Sequence, residues 1–288
     1  MTGQGIVAKN SKIIKKLKNA RKLGIALGGG GARGIAHLGV LKVLSEMDIY
    51  PQVVSGTSFG SIIGAFYCSG YTWREIVRIE KKVKWIKMVD VSLSGGLMKG
   101  DALGRVLSEY LPATFEELEK PLSVVATNLE SGKRVIISSG DLIKGIRASA
   151  CFPGIFQPVE LNGMTLIDGG MVDNVPISAL EPFGVDATIA VSVNAPLNYS
   201  VSEEDESHWW SRLRIKAGLK RATLPFDILL KALDIMLEEI TVINIAATKP
   251  DLYIHADLSG IRLHSFDKFE KIFKIGEKAA RQALGNFD

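Results

Sequence analysis

Cysteine is nearly missing from this 288-residue chain, which has Cys68, Cys151 and no others. Neither belongs to a C-x-x-C pair or a zinc-ligand spacing. That argues against a disulfide framework and a cysteine-built metal site, and leaves two buried, reduced thiols. Long apolar runs are missing too. The most apolar late stretch, 226–247, is interrupted by Lys231, Asp234, Glu238 and Glu239, so no segment offers the ~20 consecutive apolar residues a spanning helix requires. Residues 1–5 lack the apolar core of a secretory signal, and Gly3 is displaced from the position that N-myristoylation uses. Nor does one sign of charge prevail: 35 Lys and Arg face 31 Asp and Glu, a net charge of +4. This balance is too diffuse to suggest nucleic acid, although it is compatible with approach to an anionic membrane surface. No internal repeat or low-complexity tract occurs. The expectation is a cytoplasmic protein, peripheral to a membrane at most, with 47% hydrophobic residues to build a substantial core.

What is present centres on one short stretch. Val53, Val54 and Ser55 form a β-rich run that ends in Gly56-Thr57-Ser58-Phe59-Gly60, and small and apolar residues suited to a helix follow. This is G-x-S-x-G in a strand–turn–helix context, where the serine sits on a sharp turn with its hydroxyl lifted clear of the sheet. Gly56 and Gly60 let strand and helix approach closely around it. An ordinary serine in a glycine-rich turn would read the same from the motif alone.

The rest of the chain alternates strands and helices. Residues 9–22 carry seven Lys and Arg, with Ile13, Ile14 and Leu17 on one side of a helix. Such a helix can rest on an anionic bilayer; packing of its apolar edge on the domain is the plainer reading. A buried strand over 22–27 leads into Gly28-Gly29-Gly30-Gly31-Ala32-Arg33-Gly34 and then a helix to about Met47. The pattern predicts a helix over 71–90, a loop over 92–100, and a helix from 101 to 110 with Asp101 as N-cap. It predicts a hairpin of 123–127 with 135–138 around Ser131-Gly132 and a short helix over 141–150. A strand over 164–167 ends in Asp168-Gly169-Gly170, and 187–193 reads as a strong buried strand. Residues 194–208 have the composition of a mobile acidic loop, followed by Trp209 and Trp210. A helix over 225–247, a strand over 252–256 and an amphipathic helix over 266–284 complete the chain. This order implies one parallel or mixed sheet covered on both faces. We expect a basic extension over 1–22 and a single α/β domain over 23–288.

Gly29, Gly31 and Gly34 match G-x-G-x-x-G between a strand and a helix, which is also a dinucleotide fingerprint. That use needs an acid at the end of the second strand. Here G-T-S-F-G stands in its place, and Asp48 precedes the strand. No Gly-Lys-Ser/Thr follows, so a phosphate-binding Walker loop fails as well. No nucleotide is therefore expected. The other use of such a loop is to aim backbone N–H groups at an anion, and acyl transfer creates one. Each such donor lowers its barrier by about 3–4 kcal/mol.

Ser58 then needs a base. His37 lies inside a helix, His208 in the acidic stretch and His264 before the last helix. His255 closes a late strand and could complete a Ser–Asp–His triad in hydrolase order. The alternative is direct proton transfer to Asp168, whose carboxylate becomes a better base when partly desolvated. The residues leave both arrangements open.

The motifs G-G-G-G-A-R-G, G-T-S-F-G and D-G-G, in this order, resemble the patatin-like phospholipase family. Lesser echoes are Gly96-Leu97 through Gly100-Asp101, Pro121-Leu122, Arg147-Ala148-Ser149, and Asn174 with Pro176. The likeness runs from about Leu23 to Val193, and nothing comparable follows it. The resemblance implies a three-layer α/β/α sandwich with a central, mostly parallel sheet. It implies a Ser–Asp dyad without histidine: Ser58 as nucleophile, Asp168 as base, and Gly29, Gly30 and Gly31 at the oxyanion hole. Arg33, Gly34, Gly56, Gly60, Gly169 and Gly170 would support these motifs. The implied reaction is hydrolysis of a lipid acyl ester through an acyl-enzyme, with no metal or organic cofactor. An acyltransferase with the same nucleophile, or a catalytically silent regulatory module on the same fold, stays open as an alternative.

Overall fold

The computed structural model describes residues 3–83, 99–194 and 225–285, without the side chains of 3–9 and 225–230. The chain starts with α1 (Gly3–Asn19), β1 (Leu23–Leu27), α2 (Ala36–Glu46), β2 (Val53–Thr57), α3 (Phe59–Cys68) and α4 (Trp73–Lys82). Next come α5 (Asp101–Ser108), the hairpin β3 (Leu122–Asn128) and β4 (Arg134–Ile137), α6 (Leu142–Ser149), a second hairpin β5 (Val159–Leu161) and β6 (Met164–Asp168), and β7 (Ala187–Ser192). The last elements are α7 (Pro225–Thr248), β8 (Leu252–His255) and α8 (Phe269–Leu284).

Among the described residues eight strands form one sheet, in the order β5-β6-β3-β2-β1-β7-β8, with β4 also paired to β3. The middle is parallel: β2 and β7 flank β1, β3 joins β2, and β8 joins β7. The β4, β5 and β6 pairings are antiparallel. The central strands are near-continuous apolar runs because both of their faces are covered. Alternate residues divide between two cores. Ile25, Leu27, Val54, Ile189 and Val191 pack into the larger one, with residues of α2, α3 and α8. Ala26, Val53 and Ala190 face the other side, against Ile177, Leu180 and Ile245 of α7. The result is the three-layer α/β/α sandwich.

Two helices meet at unusual proximity. A Cβ on Gly39 of α2 would lie 2.2 Å from the Phe273 carbonyl oxygen, and one on Gly276 of α8 would lie 2.0 Å from that of Ala36. The backbones touch there, so side chains have been omitted on both sides. The apolar edge of α1 packs inward, with Leu17 in the core and Ile13 and Ile14 against it.

Several boundaries differ from expectation for local reasons. Strand β2 runs on to Thr57. Gly100, in a left-handed conformation, is the N-cap of α5, and Asp101 is its first residue; the Asp101 carboxylate accepts from Arg147 instead. α4 is opened by a capping box in which Thr72 and Glu75 satisfy each other's backbone N–H. A hairpin, β5–β6, stands where a single strand over 164–167 is expected. Its turn is Asn162-Gly163, both with positive φ. The rest of the helix expected over 71–90, most of the 92–100 loop, and the acidic stretch with Trp209 and Trp210 lie outside the described residues, except Asn194. Among the described residues no helix is long and apolar enough to cross a membrane.

Candidate active site

Ser58 joins the end of β2 to the start of α3, with φ 53° and ψ −126°. An L-residue with a side chain pays for such a backbone, of order 1–3 kcal/mol, so the surroundings must hold it. A Cβ on Gly60 would lie 2.2 Å from the Leu27 carbonyl oxygen, and one on Gly56 would lie 2.7 Å from that of Gly60. The turn is that tight. The Ser58 carbonyl accepts from the Ser61 hydroxyl at 2.6 Å and the Ser61 N–H at 2.9 Å. The Ser58 N–H donates to Ser149 Oγ at 2.9 Å. The serine side chain itself is half-buried.

Asp168 ends β6, opposite Ala126 of β3. Its backbone is pinned by the Cys151 carbonyl, which takes its N–H at 2.9 Å, and by the Thr127 hydroxyl, which donates to its carbonyl at 2.9 Å. A Cβ on Gly169 would lie 2.1 Å from the Val125 carbonyl oxygen, which seats the turn directly on the sheet. Oδ1 accepts from the Gly170 N–H at 2.8 Å. Burial raises the carboxyl pKa to about 6, against the pull of that N–H and of the Ser58 hydroxyl. The Ser58 hydroxyl is thus close enough to act on the carboxyl group, but Oδ2 is buried without a hydrogen-bond partner. Resting sites often have long or poorly aligned bonds that tighten when substrate binds.

The glycine loop lies alongside. A Cβ on Gly29 would lie 3.0 Å from Ser58 Cβ and 2.7 Å from Asn174 Oδ1. The Gly29 N–H is already engaged by the Asn174 carbonyl at 3.1 Å, and that of Gly28 by Val191 at 3.0 Å. Among the described residues the Gly30 and Gly31 N–H groups have no acceptor. Gly31 needs its φ of +54°, and a Cβ there would lie 2.4 Å from the Leu263 carbonyl oxygen. Gly34 leaves room for the Phe59 ring, 2.5 Å from where its Cβ would stand. His37 is fully buried, its pKa lowered to about 4 by desolvation. It is therefore neutral, and its Nε2–H donates to the Gly28 carbonyl at 2.8 Å.

Arg33 is a strut. Its Nε donates to the Ile261 carbonyl at 2.7 Å, and its two terminal nitrogens reach Asp234 Oδ1 and Oδ2 at 2.9 Å each. This fork, buried at its Arg33 end and part-buried at Asp234, joins the glycine loop to α7. A polar network that runs from Asn174 to residues outside every motif completes the surroundings. Asn174 Nδ2 donates to Asn194 Oδ1, and Asn194 Nδ2 to Thr241 Oγ1, both at 2.9 Å. Leu237 of α7 covers Gly170, 2.9 Å from where a Cβ would be.

His255 is elsewhere. It lies at the end of β8, three strands beyond β2, about 14 Å away at the usual inter-strand spacing. Its Nδ1 faces the Tyr253 hydroxyl at 3.4 Å. The triad has no geometric basis. Asp48 precedes β2, at the opposite end from the glycine loop, so the acid a dinucleotide site needs is also misplaced. Both cysteines are buried and free; burial pushes the Cys151 thiol up to about 12. Among the described residues no group of three or more His, Cys, Asp or Glu could hold a metal ion.

A strained serine elbow beside a dry carboxylate and a glycine loop, at one end of a mostly parallel sheet, defines an α/β protein of the serine-elbow type. The family model for patatin-like phospholipase matches residues 25–181, more than half of the chain, and the chain belongs to that family. It is 33% identical over 184 residues to an uncharacterized NTE family protein of Mycobacterium tuberculosis, covering 60% of this chain and 49% of that one. It is 27% identical over 285 residues to lysophospholipase NTE1 of Yarrowia lipolytica, covering 94% of this chain and 20% of that one. The chain thus spans half or less of the curated relatives it matches. The crystal structure of VipD from Legionella pneumophila shares the fold, with a TM-score of 0.57 at 15% identity, over 92% of this chain and 67% of that one.

Proposed function

We propose that this chain hydrolyses lipid acyl esters with Ser58 as nucleophile and Asp168 as general base. The observation that carries the reading is the pairing of a strained, half-buried serine with a buried carboxylate whose pKa is raised to about 6. A carboxylate of ordinary acidity is too weak a base for a hydroxyl; one held dry is nearer the task. Asp168 takes the Ser58 proton as Oγ attacks the ester carbonyl. The Gly30 and Gly31 N–H groups receive the oxyanion, and Gly29 gives clearance beside the Ser58 side chain. The tetrahedral adduct expels the alcohol, which takes the proton from Asp168. Water, activated by the same carboxylate, then releases the acid from acyl-Ser58. The substrate comes from a lipid surface, met peripherally.

The name of the fungal relative makes a lysophospholipid the first substrate to try. Release of free fatty acid from lysophosphatidylcholine vesicles, together with labelling by a fluorophosphonate, tests the reading. Both should vanish in Ser58→Ala. Fatty-acid release that survives Ser58→Ala would reject it, as would an intact protein that takes no label.

A further inference from the structure

We infer that Ser149 is a positioning residue for the reaction, and that the 149–151 segment fixes nucleophile and base against each other. The inference rests on the Ser58–Asp168 reading and goes one step beyond it. Ser149 is the last residue of α6 and is fully buried. Its Oγ accepts the Ser58 N–H at 2.9 Å. Two residues on, the Cys151 carbonyl accepts the Asp168 N–H at 2.9 Å. One short segment therefore holds the backbone of both reacting residues, which otherwise come from β2 and β6.

Geometry explains why a side chain is needed at Ser149. Ser58 has left the sheet: its φ is positive and β2 ends at Thr57. Its N–H can no longer pair with a neighbouring strand, and it precedes the first turn of α3. A hydroxyl from another element fills the gap left in the backbone ladder. Without it the strained turn loses a tether at the residue that must present its oxygen to the substrate. Misplacement of a reacting group by ~1 Å can cost about 100-fold in rate. Ser149 touches neither substrate nor the transferred proton, so its loss acts on the chemical step through Ser58.

The test measures kcat, KM and the second-order rate of fluorophosphonate labelling in Ser149→Ala, Ser149→Cys and Ser149→Thr. In Ser149→Ala we expect kcat and labelling to fall together by about 10- to 100-fold, with KM within a factor of about two. Ser149→Cys, with similar volume and a weaker acceptor, should fall in the same direction and serves if the alanine variant does not fold. Ser149→Thr, which keeps the oxygen, should recover most of the labelling rate. Wild-type labelling in folded Ser149→Ala or Ser149→Cys overturns the inference, as does a loss that threonine does not relieve. Turnover lost in Ser58→Ala but kept in Ser149→Ala overturns the tether alone. Turnover kept in Ser58→Ala overturns the tether and the nucleophile together.

Discussion

Replacing Asp168 by Asn should make this protein more stable and inactive at the same time. Burial raises the Asp168 pKa from 3.8 to about 6. The unfolded chain keeps this carboxylate in water and the folded chain keeps it dry. The difference corresponds to about 3 kcal/mol against folding once the group is ionised in both states. The sign follows from the direction of the change. With the folded pKa above the unfolded one, the penalty is full above pH ~6, shrinks as pH falls through the interval, and vanishes below 3.8, where both states are protonated. Asparagine matches the shape and keeps an acceptor for the Gly170 N–H. It removes the penalty at pH 8 and removes nothing near pH 4. Allowing for an imperfect amide fit, we expect a gain of about 1–3 kcal/mol at pH 8, or several degrees in Tm for a chain of this size. Thermal unfolding of wild type and Asp168→Asn between pH 5 and 8 reads this directly. In the same buffers wild-type kcat/KM should climb with pH and level off above ~6, while the variant loses about 10²- to 10⁴-fold. Equal Tm values at pH 8, or a stabilisation that grows as pH falls, would refute the picture of a dry, ionisable base.

Three further outcomes follow from contacts. His255→Ala should keep most of the turnover, because His255 sits on the edge strand β8, beside Tyr253 of the same strand; a loss matching Ser58→Ala would restore the triad. Arg33→Lys keeps the charge but cannot form the two-point fork with Asp234. It should cost about 1.5–3 kcal/mol in urea unfolding, the worth of a lost hydrogen bond to a charged group, and an unchanged midpoint would deny the strut. Gly39→Ala should destabilise by about 1–3 kcal/mol through overpacking against Phe273. On helix propensity alone it would stabilise by ~1 kcal/mol, so the sign of the change in Tm decides.

The sequence made the sheet and the elbow readable because both rest on local signals. Apolar runs of five or six residues mark β1 and β7, and a glycine must stand wherever backbones meet, as at Gly56 and Gly60. Turn chemistry gave the first hairpin and could have given the second, since Asn-Gly at 162–163 is the strongest short hairpin signal. Asp101 misled for a definable reason: acids are good N-caps, but a left-handed glycine one residue earlier took that position and Arg147 took the carboxylate. The contacts that complete the site were illegible. Arg33 meets Asp234 across 201 positions, Ser58 meets Ser149 across 91, and Asn194 meets Thr241 across 47. No spacing or periodicity carries such pairs; only the packed fold brings them together.

Those long-range contacts bear on how a region without motifs takes part in the chemistry. The properties proposed for Asp168 require dryness, and the D-G-G turn alone does not provide it. Part of the cover is Leu237, which stands over Gly170. Leu237 belongs to α7, and α7 is held by Asp234, whose two oxygens are gripped by Arg33 of the glycine loop. The same helix contributes Thr241, which reaches Asn174 through Asn194, and Asn174 in turn engages the Gly29 N–H. The loop that would receive the oxyanion and the helix that covers the proposed base are therefore one mechanical unit, closed at two points by buried and part-buried polar contacts. Against well-packed apolar groups such contacts gain little stability, since desolvation offsets most of their attraction, although breaking one is costly. What they fix is relative position, and a serine attacking with the help of a single carboxylate has few other means of fixing it.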